Sequence, residues 1–316
     1  MKRIQFLQNI SMAFFGISTL GFTSQNMKNR RHIESKSIDN SIKLSLAQWS
    51  LNKLINGGIL NPYDFAKIAS GYGFTGLEYV SQLYKDIYSS DNKAKAIENF
   101  VKKSLVESQK FGLENVLIMV DEEGDLSIEN QSERNQAIEN HRRWIDAAAQ
   151  LGCHSIRVNL YGSSDLEIWK STSIDSLRKL SDYASASKIN ILVENHGGYS
   201  SNASQLMQVI HAVDLPNCLT LPDFGNFCID KKENVCIDEY DKYKGVEELL
   251  SKAGAVSAKS YDFDSQGNET TIDYQKMLSL VNRAGYTGFI GVEYEGNRLS
   301  EKEGILHTKK LIEKFI

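Results

Sequence analysis

The chain of 316 residues is 41% hydrophobic and 24% charged, enough to build a full core in one large domain or two ordinary ones. A formal net charge of −4, with no basic run beyond the short KNRR near the start, excludes nucleic-acid binding as a first reading, because a phosphate backbone asks for a positive surface. In chain order, residues 1–24 read as an export signal: MKR supplies positive charge, ISMAFFGISTLGF an apolar core and FTSQN a small polar exit. The apolar run is too short and too rich in Ser and Gly for a membrane span. KRIQFLQ resembles the twin-arginine export pattern with Lys2 in place of the first arginine, which leaves general secretion open. No Cys follows the apolar core, so no lipid anchor is expected. Residues 25–42 read as a polar linker. Together these segments predict an exported, periplasmic protein.

From residue 43 the hydrophobic periodicity alternates between strand and helix. IKLSLAQW is strand-like, and Asn61-Pro62 then opens a helix with Phe65, Ile68, Ala69 and Tyr72 on one face. TGLEYV is a second strand and NVLIMV a third, separated by a helix carrying Ile97, Phe100, Val101 and Leu105. The next helix carries Ile138, His141, Ile145 and Ala148, with Gly152 placed to cap it. SIRVNL, a helix near 173–187, INILVEN, a helix near 203–212 and CLTLPDF follow. A helix near 244–252 leads to AVSAKSYDF, one near 273–284 to GFIGVEY, and a last helix closes the chain. Eight strand–helix pairs predict a parallel sheet closed into a single-domain (β/α)8 TIM barrel over residues 43–316, a fold typically about 250 residues long. The near-identical GFTGLEY and GFIGVEY support equivalent units. An open doubly wound sheet ranks second, since no GxGxxG follows the first strand.

None of the four cysteines forms a CxxC pair, so a zinc–thiolate site is not expected. In an oxidising compartment Cys228 and Cys236 can bridge within one loop, with buried free thiols as the alternative.

A barrel of this kind builds its site at the C-terminal ends of its strands. Those ends carry Gln48, Trp49, Glu78, Met119, Arg157, Asn159, Glu194, His196, Asp223, Asn226, Ser257, Lys259 and Glu293. Glu194, Asp223 and Glu293 would converge there, and three close carboxylates repel unless a cation holds them, so a divalent metal is the economical explanation. Each also has an ordinary reading: Glu194 as a helix cap, Asp223 as an acceptor for amides in the PDFGN turn, Glu293 as a solvated side chain. Of the six histidines only His196 falls at the mouth, as a ligand or an orienting residue.

The strings LVENHGG, LPDFGNF, VSAKSYDF and GVEYEG, in this order and spacing, resemble the xylose-isomerase-like barrel superfamily, the sugar phosphate isomerases and epimerases. The similarity covers about residues 43–316, nearly the whole chain after the linker. It implies Glu194, Asp223 and Glu293 as metal ligands, with Mn²⁺ or Mg²⁺ suiting an all-oxygen set. The family's fourth ligand, a histidine two residues before a lysine, is here Ser257, followed by Ala258 and Lys259.

The chemistry that follows is an enediolate reaction on a sugar, with Glu194 and Glu293 as the acid/base pair and an isomer or epimer as product. Trp49, Glu78, Arg157, Asn159, His196, Ser257 and Lys259 are the expected substrate-binding residues. Export favours a non-phosphorylated sugar as the small-molecule partner. Two alternatives stay open: a lyase or dehydratase on a keto-sugar or keto-glycoside using the same site, and a non-catalytic carbohydrate-binding barrel. An endonuclease role is disfavoured by the acidic chain and the export signal.

Overall fold

The computed structural model describes residues 42–316; the expected export signal and the linker as far as residue 41 lie outside them. The strands in chain order are β1 (Lys43–Ala47), β2 (Gly76–Val80), β3 (Glu114–Met119), β4 (Ser155–Val158), β5 (Asn190–Glu194) and β6 (Cys218–Leu221). A two-stranded hairpin of β7 (Cys228–Lys232) and β8 (Val235–Glu239) intervenes before β9 (Val256–Ser260) and β10 (Phe289–Tyr294). Helices α1 (Asn52–Asn56) and α2 (Phe65–Gly71) follow β1, and α3 (Lys85–Tyr88) and α4 (Lys93–Phe111) follow β2. Then α5 (Gln131–Leu151), α6 (Leu166–Ser185) and α7 (Ala203–Val213) follow β3, β4 and β5, and α8 (Lys242–Leu250) follows the hairpin. Finally α9 (Tyr274–Arg283) and α10 (Glu301–Glu313) follow β9 and β10. Among the described residues no helix is long and apolar enough to cross a membrane.

The eight-stranded parallel sheet runs in the order β6-β5-β4-β3-β2-β1-β10-β9. Its two ends meet through isolated parallel bridges, Thr220 to Ala253 and Asp223 to Ser257. Backbone bonds Gly254 N–H to Thr220 O (2.9 Å) and Ser257 N–H to Pro222 O (3.0 Å) complete the (β/α)8 barrel. Pro222 has no N–H, so a regular ladder cannot run through this seam.

Side chains alternate across each strand, and register neighbours share a face. Leu77, Ile118, Ile156, Val193, Val256 and Ile290 are buried apolar residues on the opposite parity to the polar strand-end residues. The interior face mixes polar residues with apolar ones, with Glu78 beside Ala47 and Leu117, Arg157 beside Met119 and Leu192, and Lys259 beside Glu293. Gly291 belongs to this interior set: a Cβ there would meet the Glu78 carboxyl at 2.5 Å, so the glycine makes room for a buried acid.

Helix ends follow local chemistry. Asn130 accepts from the amides of Ser132 and Glu133 at the start of α5, and Gly152, left-handed at φ 81, ends it as its position in the sequence predicts. Ser300 and Glu303 form a capping box on α10.

The β7–β8 hairpin is absent from the sequence reading. Its turn places Glu233 and Asn234 at positive φ, and a disulfide joins Cys228 to Cys236. Of the two states left open for that pair, the bridge is the one present, whereas Cys153 and Cys218 are free and buried.

Candidate active site

Two buried clusters face one another across the C-terminal mouth, each built around one cation. On the β4 side the Arg157 guanidinium lies 2.8 Å from Asp121 through Nη1 and 2.8 Å from Glu194 through Nε. The second contact is close but not aligned as a hydrogen bond, so Arg157 Nε is a charge partner only. Asn226 Nδ2 donates to the other Glu194 oxygen at 3.0 Å. On the β9 side the Lys259 ammonium lies 3.0 Å from Glu293, 3.0 Å from Glu295 and 3.1 Å from Asn226 Oδ1. Three acceptors match its three N–H bonds, which is how a lysine only 2% exposed is made tolerable.

Within each cluster the two carboxyls are pushed apart. Burial raises Glu194, and it raises Glu293 to about 8 against the pull of Lys259. Burial also works against Glu295, but Lys259 and the Trp49 indole outweigh it and hold that carboxyl below its ordinary range. Asp121 is likewise held low, burial being outweighed by Arg157.

Asp223 sits between the clusters as a fully buried acceptor. Its Oδ1 takes the amides of Gly225 (2.8 Å) and Asn226 (2.9 Å), and its Oδ2 takes the Ser257 hydroxyl at 2.6 Å. Asn195 ties the same turn to β5, accepting from the Asp223 amide at 2.8 Å. The turn-holding alternative for Asp223 is therefore present as geometry.

These arrangements decide how a divalent metal fits. Charge alone invites one, since Asp121, Glu194, Asp223, Glu293 and Glu295 outnumber Arg157 and Lys259. The donor geometry does not provide for it. Both Glu194 oxygens, both Asp223 oxygens and one Glu293 oxygen face protein donors, and no group of three His, Cys, Asp or Glu among the described residues is arranged to hold an ion. Geometry outweighs the charge count here, because the oxygens a cation would take already face protein donors, so the residues as placed do not fit a metal.

The other expected site residues are distributed as follows. Trp49 is half-buried and its indole N–H donates to Glu295. Glu78 lies inside the barrel, bonded to Ser45 at 2.5 Å and absent from the cavity wall; burial raises its carboxyl to about 7. His196 faces the mouth with Nδ1 bonded to the Tyr161 hydroxyl, and burial lowers it to about 4, so it is a neutral ring. Asn159 donates to Asp121 at 2.7 Å. A cavity of about 340 Å³ opens beside this group, lined by Asp121, Glu122, Asp125, Asn159, Tyr161 and His196 among others.

Asp121, Tyr161 and Glu295 were not on the expected list. Glu295 was within reach of sequence, because it lies two residues after Glu293 and alternation puts the pair on one face. Asp121 immediately follows the apolar run NVLIMV, two residues beyond the Met119 taken as that strand's end. Tyr161 carries no such signal.

Comparison with known proteins adds the following. The sequence model of a family described as xylose isomerase-like TIM barrel matches residues 66–314. A 2-oxo-tetronate isomerase of Pectobacterium atrosepticum is 24% identical over 265 residues, covering 79% of this chain and 92% of that protein. The D-allulose 3-epimerase structure from Methylomonas sp. superposes with a TM-score of 0.67 at 14% identity, covering 87% of this chain and 98% of that one. The IolI protein, whose structure carries a bound zinc atom, superposes with a TM-score of 0.61 at 15% identity, over 87% and 99% of the two chains.

Proposed function

The chain belongs to the xylose isomerase-like TIM barrel family, and from that premise we propose that it is a sugar isomerase or epimerase working through an enediolate at the mouth between Glu194, Lys259 and Glu293. The observation that carries this reading is the pair of buried carboxyls, Glu194 and Glu293, which act on one another electrostatically across the mouth while each touches a cation. A 2-oxo-tetronate isomerase among its relatives and a ketose epimerase among its structural neighbours support the reaction class.

In this reading Glu194, in its carboxylate form beside the Arg157 guanidinium that favours that form, removes the proton on the carbon next to the substrate carbonyl. The electron pair moves onto the carbonyl oxygen, whose charge is met by the Lys259 ammonium. Asn226 is a neutral amide partner of that ammonium, so a carbonyl oxygen displaces it at less cost than it would the Glu295 carboxylate. Glu293, raised to about 8, keeps its proton at neutral pH and delivers it. Delivery to the neighbouring carbon, with the enediolate's hydroxyl proton passing to the former carbonyl oxygen, gives the aldose–ketose isomer, and delivery to the opposite face of the same carbon gives the epimer. Mn²⁺ or Mg²⁺ has no step here, because the oxygens it needs are committed to Arg157, Asn226, Ser257 and Lys259. The same reading takes the protein to be exported, which the Cys228–Cys236 bridge supports through the chemistry of oxidising compartments.

The test is deuterium uptake from D₂O into the carbon next to the carbonyl of a ketose panel. Glu293→Gln keeps the shape and removes the proton donor, so uptake should fall about 10²–10⁴-fold with an unchanged circular dichroism spectrum. Near-full activity in that variant would remove Glu293 from the mechanism. Uptake accompanied by elimination would move the reading to a lyase, and no uptake from any ketose would leave a carbohydrate-binding barrel.

A further inference from the structure

We propose that Tyr261 is a further catalytic residue of the mouth, its hydroxyl joining the Lys259 ammonium as a second donor to the substrate carbonyl oxygen. This rests on the sugar-isomerase reading and deepens it by one residue.

The first observation is where the phenol lies. Tyr261 follows Lys259 by two residues, just beyond the end of β9, so strand alternation sends both side chains to the same side. The two meet over Gly225 in the PDFGN turn. A Cβ on that glycine would come within 2.7 Å of the Tyr261 hydroxyl oxygen and 3.0 Å of Lys259 Cδ, so the glycine leaves room for the pair. The charges that act on the phenol are those of Lys259, Asp223, Glu295 and Glu293, all groups of the mouth.

The second observation is that this hydroxyl is idle. Among the described residues it makes no hydrogen bond, and its oxygen is open to solvent rather than sealed in the interior. The Tyr161 and Tyr199 hydroxyls, on the loops after β4 and β5, are spent on His196 and the Ser164 carbonyl. Lys259 and Asp223 are likewise committed. A phenol set among charged groups and bonded to none of them can take a ligand without breaking an internal bond.

The third observation is that the backbone carrying it is fixed on both sides. The Tyr261 amide donates to Glu269 at 3.3 Å, and the same buried carboxylate takes the amides of Thr271 (2.5 Å) and Ile272. The Tyr261 carbonyl oxygen lies against Gly296, where a Cβ would stand 1.9 Å from it. The hydroxyl is thus placed by the fold before substrate arrives, which is the condition for stabilising charge that develops only in the transition state.

Burial raises the phenol, so at neutral pH it holds its proton and donates. As Glu194 takes the carbon-bound proton, the carbonyl oxygen gains charge and its bonds from Tyr261 and Lys259 strengthen together. No proton leaves either donor.

The experiment compares wild type with Tyr261→Phe, which removes only the hydroxyl, in deuterium uptake into D-fructose, D-tagatose and D-allulose. The variant should lose about 10²–10³-fold in kcat with KM held within about threefold. Its urea midpoint should be unchanged, because the hydroxyl has no internal bond to lose. Calorimetric binding of D-threonohydroxamate, a planar mimic of the enediolate, should weaken at least about tenfold in the variant. The proposal is overturned by a variant kcat within about twofold of wild type, by a rise in KM at constant kcat, or by equal affinity of the two proteins for the hydroxamate. Hydroxamate binding that depends on Tyr261, with no deuterium uptake from any ketose, would sink the isomerase reading alone. Uptake that the variant retains in full would sink the Tyr261 role alone. A wild type that neither exchanges deuterium nor binds the hydroxamate would sink both.

Discussion

The Arg157 and Lys259 clusters are two solutions to the same problem, one cation between two buried carboxylates. Arg157 divides its fork between Asp121 and Glu194. Lys259 divides its ammonium between Glu293 and Glu295. In both, the less buried carboxyl is held low, Asp121 and Glu295, and the more deeply buried one is raised, Glu194 and Glu293. One cation cannot offset desolvation equally for two acids, so the more deeply buried carboxyl of each pair is the one raised. The difference between the clusters lies in the cation: a planar guanidinium fixes two directions, whereas an ammonium can trade a neutral acceptor for a substrate oxygen.

The largest expected effect comes from removing that ammonium. Lys259→Met strands the Glu295 carboxylate beside Glu293 and should cost about 3–5 kcal/mol of stability in urea denaturation. Adding Glu295→Gln should recover part of that loss. A cost below about 1 kcal/mol, no more than an exposed pair is worth, would mean the cluster is not held by its cation.

Glu78 sharpens the contrast, being a buried acid with no cation in contact among the described residues. Its folded value, raised from 4.5 to about 7, lies above its unfolded one, so the associated stability is full below about 4.5 and is lost as pH rises through about 7. That rise corresponds to about 3 kcal/mol. Glu78→Gln should therefore gain stability relative to wild type between pH 5 and 8, read as a growing difference in denaturation midpoint. A pH-independent difference would mean that Glu78 does not titrate in this range.

The smallest effect expected is on metal affinity. The wild type should bind Mn²⁺ weakly in calorimetric titration, and Ser257→His, which replaces a hydroxyl turned toward Asp223 with imidazole, should tighten it about tenfold. Tight wild-type binding that Glu194→Ala and Asp223→Ala both abolish would reinstate the three carboxylates as ligands.

The barrel was legible because each strand and helix announces its own period over several residues, and the mouth was legible because strand ends are countable. Glu194, Asp223, Lys259 and Glu293 do meet there. The hairpin was not legible, because β8 is exposed throughout and shows no buried-face alternation. The Pro222 seam was not legible either, since it depends on which strands become neighbours after about thirty residues of intervening chain.

Sequence by itself determined the strand–helix alternation, the face each polar residue takes and the family, because these follow from local periodicity and motif spacing. Only the tertiary structure decided which cation each carboxylate receives. Those partners lie on strands distant in sequence: Asp121 just beyond β3 with Arg157 on β4, Glu194 on β5, and Lys259 on β9 with Glu293 and Glu295 at and just beyond the end of β10. Their protonation is set by burial and by angstrom-scale contacts that exist only once the barrel has closed.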